Sequence, residues 1–316
     1  MKKICTILLA LLFFTAIANS DENGLDRAKN ARLQARSLAT GQSDLSRNCY
    51  IPTFAEEKEP DETEVFFFRQ QEVEVPIIMY HLVTDRPKFI GKHGITPQEL
   101  EKDLTFLREA GYNTIVMQDL INFVERGKKL PKNPIVLTFD DGNFSDYSYL
   151  FPLLQENKQR AVVAIIGEAT DRCTNLAETH KKLPNLTWPQ VKELHDSGLV
   201  EIQNHGYNVH GKGGSGKKRG ESADAYHNRL TEDLTKLQEA CEAHLGWQPT
   251  TFVYPLGVIG EGSREIIEAM GMAATLGCEE GINTVRQGDR DCLFKMRRIN
   301  RPSGKSLESI LEKWKK

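Results

Sequence analysis

Apolar runs and amphipathic segments alternate from residue 75 to the end of the chain, and this alternation constrains the fold more than any other feature. Short apolar, β-branched runs predict buried strands, and leucines spaced three or four residues apart predict the helices between them. Strands that alternate with helices form parallel sheets, because each connection must cross back over the sheet. We therefore predict an α/β fold, either a parallel (β/α) barrel or a doubly wound sheet.

The pattern assigns strands and helices along most of the chain. Strands are predicted at 75–80, 113–117, 135–139, 160–166, 200–204, 250–254, 272–276 and 293–297. Helices are predicted at 119–126, 145–156, 188–197, 222–245, 264–270 and 306–315. A further helix begins after Thr96, where Pro97 and Glu99 complete a capping box, and ends at Gly111.

The chain has 316 residues, enough for one large α/β domain or two ordinary ones. Two lysines, an apolar core and small residues at Ala18 and Ser20 predict a secretory signal peptide at 1–20. A retained membrane anchor is the alternative, but the apolar stretch is short for a full span. Residues 21–73 are polar and predict an exposed spacer or N-terminal extension, which could also pack on the domain at 74–316.

Composition excludes some classes of protein. The chain is 39% hydrophobic with a net charge of −3, a globular and mildly acidic balance that does not support nucleic-acid binding. No segment after the signal peptide is apolar enough to cross a bilayer. Six cysteines are present, and because the five after the signal peptide are an odd number, at least one is unpaired or pairs with another chain. Cys278 and Cys292 flank a loop and could bridge it.

Two adjacent carboxylates, Asp140 and Asp141, follow the apolar run at 135–139. In parallel α/β folds the carboxyl ends of strands carry the binding and catalytic groups. Taken alone, the following Gly142 favours an ordinary turn, because Asp-Gly is a common turn pair. A second predicted strand, at 200–204, ends in a segment that carries His205 and His210. The two strand ends together favour a functional site.

Asp141, His205 and His210 suit zinc or another divalent first-row metal, such as cobalt or nickel. Histidines five residues apart share no face of a helix or strand, so we predict a turn that Gly206 allows. Three protein ligands leave room for a water, whose pKa a metal lowers to about 7. Asp140, beside the ligands, is the predicted base for its proton. These groups suit hydrolysis of an amide or ester.

Four stretches resemble motifs of the polysaccharide deacetylases, the NodB-type family of metal-dependent carbohydrate esterases. TFDDG at 138–142 is similar to the first motif, and NHGYNVH at 204–210 to the second, in its variant with the longer histidine spacing. FVYPLG at 252–257 is similar to the third motif, and IMYH at 78–81 to the strand that begins many of these domains. The resemblance covers about residues 75–314. It implies a distorted (β/α) barrel, a single metal ion, and removal of acetyl groups from N-acetylated sugars.

The resemblance also implies roles for individual residues. It makes Asp140 the base, and the metal ligands Asp141, His205 and His210. The backbone N–H near Leu256 would hold the oxyanion, with Tyr254 and Pro255 shaping the acetyl pocket. Tyr80 and His81 would lie near the sugar.

The sequence departs from the family at two roles. Many members carry an arginine in the third motif that orients the base, and none is present there. Arg297 or Arg298 could substitute, or both could be solvated. Many members also carry a late histidine that protonates the leaving amine, whereas no histidine follows His244. His81 is a candidate for the general acid, or a structural histidine.

The leading interpretation is an exported, metal-dependent deacetylase of glycans that contain N-acetylglucosamine, such as peptidoglycan or an exported polysaccharide. One alternative keeps the metal site but cleaves another amide: a formyl group, a lactam or a small N-acyl compound. Another alternative is a glycan-binding module with a weakened site. A glycine-rich basic loop at 211–220 follows His210 and could grip an anionic glycan, or be a flexible, solvated insertion. The sequence does not predict the oligomeric state.

Overall fold

The computed structural model of the protein describes residues 71–177 and 184–314. The predicted signal peptide at 1–20, and the predicted spacer up to residue 70, lie outside the described residues. The first strand, Glu72–Val75, already includes the end of the predicted spacer, so regular structure begins before residue 74. In the part of the chain that is described, no helix is both long and apolar enough to cross a membrane.

The strands of the described residues are numbered in chain order. They are β1 Glu72–Val75, β2 Ile77–Tyr80, β3 Leu82–Val83, β4 Gly94–Ile95, β5 Asn113–Ile115, β6 Pro134–Asp141, β7 Ala161–Ile165, β8 Val200–Asn204, β9 Thr251–Val253, β10 Ala274–Leu276, β11 Asn283–Arg286 and β12 Ile299–Asn300.

The helices connect these strands. They are α1 Pro97–Glu109, α2 Met117–Arg126, α3 Phe151–Asn157, α4 Gly167–Leu176, α5 Trp188–Asp196, α6 Ala223–Leu245, α7 Ser263–Ala269 and α8 Leu307–Glu312. A short π-helix, Asp146–Leu150, precedes α3, and 3-10 turns occur at Pro87–Phe89, Pro255–Gly257 and Arg290–Leu293. The predicted capping box is confirmed: the Thr96 hydroxyl accepts from the Glu99 N–H, and the Glu99 carboxylate accepts from the Thr96 N–H.

Eight strands form one parallel sheet in the order β10-β9-β8-β7-β6-β2-β12, with β5 also paired to β6. The sheet curls, because Met296, just before β12, makes a parallel bridge to Leu276 at the end of β10. β6 is buried along almost its whole length, which explains its continuous apolar run. The predicted α/β class is confirmed as a distorted parallel (β/α) barrel rather than an open, doubly wound sheet.

The predicted last strand at 293–297 is wrong. Arg290–Leu293 is a 3-10 turn, and Lys295 has a left-handed backbone (φ 55°) that interrupts the extended run. The strand forms later, as β12, and pairs with β2. Sequence analysis also missed α4 and β11, which pairs antiparallel with β1.

Candidate active site

The register of the sheet brings the proposed metal ligands together at its carboxyl edge. Asp141, the last residue of β6, lies opposite Ile165 of β7, which lies opposite Asn204 of β8. His205 therefore follows β8 at the same level as Asp141. Gly206 turns the chain with a left-handed backbone (φ 85°), and His210 returns to the same place. One ligand atom from each of Asp141, His205 and His210 lies within 4.8 Å of the others.

The Asp141 carboxylate faces two imidazole nitrogens. Its Oδ1 atom lies 3.0 Å from His210 Nε2 and 3.6 Å from His205 Nε2, yet this buried oxygen accepts no well-aligned hydrogen bond. Burial raises the pKa of Asp141, but the two histidines lower it by more, so the carboxyl is ionised. An anionic oxygen and two nitrogens directed at one point, without mutual hydrogen bonds, fit a divalent first-row metal ion.

A backbone carbonyl sets the orientation of His205. Its Nδ1 atom lies 2.7 Å from the carbonyl oxygen of Val253, at the end of β9, and the imidazole is buried. A carbonyl can only accept, so Nδ1 carries the proton and Nε2 presents its lone pair toward Asp141. Such a support behind a ligating histidine is typical of metal sites.

A distant segment holds the turn that carries Asp141. The Asn185 side chain donates to the Asp141 carbonyl at 3.0 Å, and the Leu186 N–H donates to the Gly142 carbonyl at 2.9 Å. Asp141 has a left-handed backbone (φ 76°), a conformation that costs energy in a residue other than glycine and that clusters at functional sites. Sequence analysis missed this support, because nothing in the sequence near 185 indicates a contact with the first motif.

Asp140 is held by Arg298 in a buried, bidentate ion pair. Arg298 Nη1 lies 2.7 Å from Asp140 Oδ1 and Nη2 lies 2.9 Å from Oδ2, with both side chains almost inaccessible to solvent. The guanidinium also donates to the Gly277 carbonyl and the Thr138 hydroxyl. Burial raises the pKa of Asp140, but the charge and hydrogen bonds of Arg298, together with the nearby His205 and His81, outweigh burial and lower that pKa below its usual range.

Of the two arginines that the sequence offers for orienting Asp140, Arg298 is therefore the one that contacts it. Arg297 is half exposed and pairs with Glu279 at 3.0 Å, away from Asp140. Cys278 lies beside the Arg298 guanidinium, with its Sγ atom 3.7 Å from Nη2. The expected bridge between Cys278 and Cys292 is wrong, because both are free thiols.

The two residues at the end of β2 differ in their environment. His81 is partly exposed, with its Nε2 atom 3.9 Å from Asp140 Oδ2 and its ring against that of His93. Burial lowers the pKa of His81. Tyr80, by contrast, is 1% exposed and donates to Asp103 Oδ2 at 3.1 Å. The expectation that Tyr80 lies near the sugar does not agree with this position in the core.

The third motif forms a tight turn after β9. Tyr254 is buried and its hydroxyl lies 2.8 Å from Ser263 Oγ, so this hydroxyl is already engaged. Pro255 is buried, whereas Leu256 is 58% exposed and has a left-handed backbone (φ 57°). A left-handed backbone is energetically costly in a leucine, so the surrounding structure must enforce it. Backbone strain of this kind clusters at functional sites.

We expect Gly206→Ala to weaken metal binding. A Cβ at this position would lie 2.4 Å from Val209 Cγ2, and the left-handed backbone adds about 1 to 2 kcal/mol of strain. The clash must displace the turn between His205 and His210. Gly111→Ala is the matched control, since its φ is also positive but nothing lies within 4 Å. Calorimetric zinc titration should show weaker binding for the first variant alone; unchanged affinity in Gly206→Ala would contradict the assigned geometry.

Fold and site together define a parallel α/β barrel with a candidate mononuclear metal centre at the carboxyl ends of its strands. The family model for polysaccharide deacetylase matches residues 127–275, which include Asp140, Asp141 and both histidines of the cluster. The chain is therefore similar to the polysaccharide deacetylases, and the matched segment is just under half of its 316 residues.

Curated relatives and solved structures are similar to this chain. A poly-beta-1,6-N-acetyl-D-glucosamine N-deacetylase of Escherichia coli K12 is 28% identical over 67% of this chain, which spans 35% of that protein's length. The enzyme of the same name from Staphylococcus aureus is 21% identical, covering 72% of this chain and 74% of the relative.

Among solved structures, a de-N-acetylase from Aggregatibacter actinomycetemcomitans has a TM-score of 0.64 and 26% identity, covering 76% of this chain and 99% of its own. The Streptococcus pyogenes deacetylase PplD has a TM-score of 0.63 at 19% identity, covering 78% of this chain and all of its own, and this likeness shows the fold alone.

Proposed function

We propose that the protein is an exported, metal-dependent hydrolase that removes N-acetyl groups from polysaccharide containing N-acetylglucosamine. One observation carries the proposal: Asp140, held by Arg298, directly precedes Asp141, which faces His205 and His210. A base is thus fixed beside a three-ligand cluster. The names of the Escherichia coli and Staphylococcus aureus relatives support the substrate class. The signal-like start of the chain supports export.

Each role assigned to the side chains is part of the proposal. Asp141, His205 and His210 would hold one divalent metal, zinc or another first-row ion. That ion would supply Lewis acidity for the acetyl carbonyl and for the attacking water. Asp140 accepts the proton of that water, and Arg298 fixes the orientation of its carboxylate. The backbone N–H of Leu256 donates to the oxygen on which negative charge develops.

His81 is the proposed donor of a proton to the leaving amine. Its Nε2 atom lies near Asp140, so a proton collected from water by the carboxylate has a short path to the imidazole. Tyr254 and Pro255 contribute as buried supports of the Leu256 turn. The backbone and side chain of Leu256 are therefore the parts of the third motif closest to solvent.

The alternative of a glycan-binding module rested partly on the arginine missing from the third motif. Arg298 supplies a guanidinium to Asp140 from elsewhere in the chain, which removes that argument. The other alternative, an enzyme that cleaves a different amide, would use the same catalytic groups and differ only in its substrate. The experiment must therefore include a small N-acyl compound.

The deciding experiment measures acetate release by the purified protein. The substrates are β-1,6-linked N-acetylglucosamine oligomers, chitin oligomers, peptidoglycan, and a small N-acyl amine. We expect acetate from at least one glycan when zinc or cobalt is added. Chelation should abolish acetate release, because the proposed reaction depends on a metal held by the ligand cluster. Restored activity on adding metal back is the control for damage by the chelator.

Two results would contradict the proposal. Cleavage of the small amide without action on any glycan would assign the site to another substrate. A protein that binds one metal per chain but releases no acetate from any substrate would not be a deacetylase of these glycans.

A further inference from the structure

A cavity of about 450 Å³ lies beside the turn that carries the two histidine ligands, and the proposed chemistry uses none of its charged groups. One wall is the outer side of that turn, Tyr207 to Val209. The second wall is the loop after His210, and the third is the face of α6 from Arg229 to Lys236.

The loop that forms the second wall is anchored, which corrects the expectation of a flexible insertion. Ser215 is fully buried and its hydroxyl donates to the Val258 carbonyl at 2.9 Å. Arg229 donates to the Gly216 carbonyl at 2.9 Å and forms a two-pronged pair with Glu221 at 2.7 and 3.0 Å. The loop therefore holds its lysines in a defined place beside the third motif.

Three lysines line or border the cavity without a direct salt bridge to any residue in the described part of the chain. Lys212, Lys218 and Lys236 are exposed, and none of them forms an ion pair with a group in the described ranges. Of the cavity's two carboxylates, Asp233 is engaged by the backbone N–H groups of Tyr207 and Asn208.

The other carboxylate, Glu232, is exposed, and the same cavity is lined by Lys212, Lys218 and Lys236. Arg229 is neutralised by Glu221 and adds no free charge. The cavity therefore carries an excess of positive charge, although the chain as a whole is acidic.

We propose that this cavity binds carboxylate groups carried by the glycan, so that the preferred polymer is anionic rather than neutral. Lys212 follows His210 by two residues, so the two Cα atoms are at most about 7 Å apart. A carboxylate on a sugar next to the one being deacetylated can reach across that distance. Peptidoglycan, whose stem peptides carry free carboxylates, has this chemistry. The inference rests on the proposed function and narrows its substrate.

The test compares binding of soluble peptidoglycan fragments with binding of neutral N-acetylglucosamine oligomers, by calorimetry at low salt. We expect Lys212→Gln/Lys218→Gln to weaken binding of the fragments about tenfold and to reduce its salt dependence. Glu232→Gln should act in the opposite direction and tighten it. Lys128→Gln/Lys129→Gln, at the amino edge of the sheet before β6, is the matched control and should change nothing.

The affinity for the fragments tests this inference, and acetate release tests the proposed function. Equal affinity of the wild type and Lys212→Gln/Lys218→Gln for the fragments would overturn it, as would fragments that bind no more tightly than neutral oligomers. Inorganic phosphate is the further probe: phosphate binding without preference for the fragments would make the cavity an ion site. Failure of the proposed function would instead appear as absence of acetate from every glycan, whichever ligand binds.

Discussion

Replacing Asp140 with Asn is expected to lower turnover by a factor of about 10² to 10⁴, the usual contribution of a positioned proton acceptor. The amide keeps the shape of the carboxylate but cannot accept the proton of the attacking water. Metal content should remain unchanged, because Asp140 is not among the three side chains of the ligand cluster. Acetate release and metal content, measured on the same preparation, check both statements.

The substitution also removes the partner of a buried charge. Arg298 is fully buried, and losing its carboxylate should destabilise the fold by about 3 to 5 kcal/mol. A loss of activity could therefore be a loss of folded protein. A second buried ion pair supplies the control: Arg301 also forms a bidentate contact with a carboxylate, that of Asp103, at 2.7 and 3.0 Å.

Asp103→Asn should lower the free energy of unfolding by a similar amount, yet leave turnover per folded molecule near that of the wild type. Asp103 lies in α1 and contacts Tyr80 and Arg301, not the metal cluster. Denaturant unfolding of both variants, together with acetate release, separates the two effects. Equal turnover per folded molecule in Asp140→Asn and Asp103→Asn would contradict the assignment of Asp140 as the base.

The parts of the site that the sequence predicts are those set by local patterns. An apolar run followed by charged residues identifies the ends of β6 and β8, and parallel pairing then brings Asp141 and His205 to one edge. Gly206 indicates the turn between the histidines, because only glycine adopts its backbone at little cost.

The parts that the sequence leaves open depend on contacts between distant residues. Arg298 contacts Asp140 although the two residues are 158 positions apart in the sequence. Local patterns do not distinguish Arg298 from Arg297, because they do not predict the left-handed backbone of Lys295 that interrupts the expected strand. Tyr80 presents the same difficulty, since every residue of β2 is buried and alternation does not distinguish the two faces. Its hydroxyl is satisfied by Asp103, which no local pattern indicates.

Replacing Asp141 with Asn should lower zinc affinity by at least about 100-fold, since loss of a ligand should cost no less than loss of its support. The amide removes the one carboxylate of the cluster and leaves only the two imidazoles as ligands. Turnover at limiting metal should fall with occupancy. Asp140→Asn is the matched control, because it removes the adjacent carboxylate but leaves the ligand cluster intact.

Thermal unfolding gives a readout that does not depend on activity. A ligand that binds only the folded state stabilises it by about 2.7 kcal/mol at 100 times its Kd. At that zinc concentration, a 100-fold weaker site retains about 0.4 kcal/mol of this stabilisation. Zinc should therefore raise the Tm of the wild type and of Asp140→Asn, but hardly that of Asp141→Asn. An equal rise in all three would place the metal elsewhere, and no rise in the wild type would argue against a metal centre at these residues.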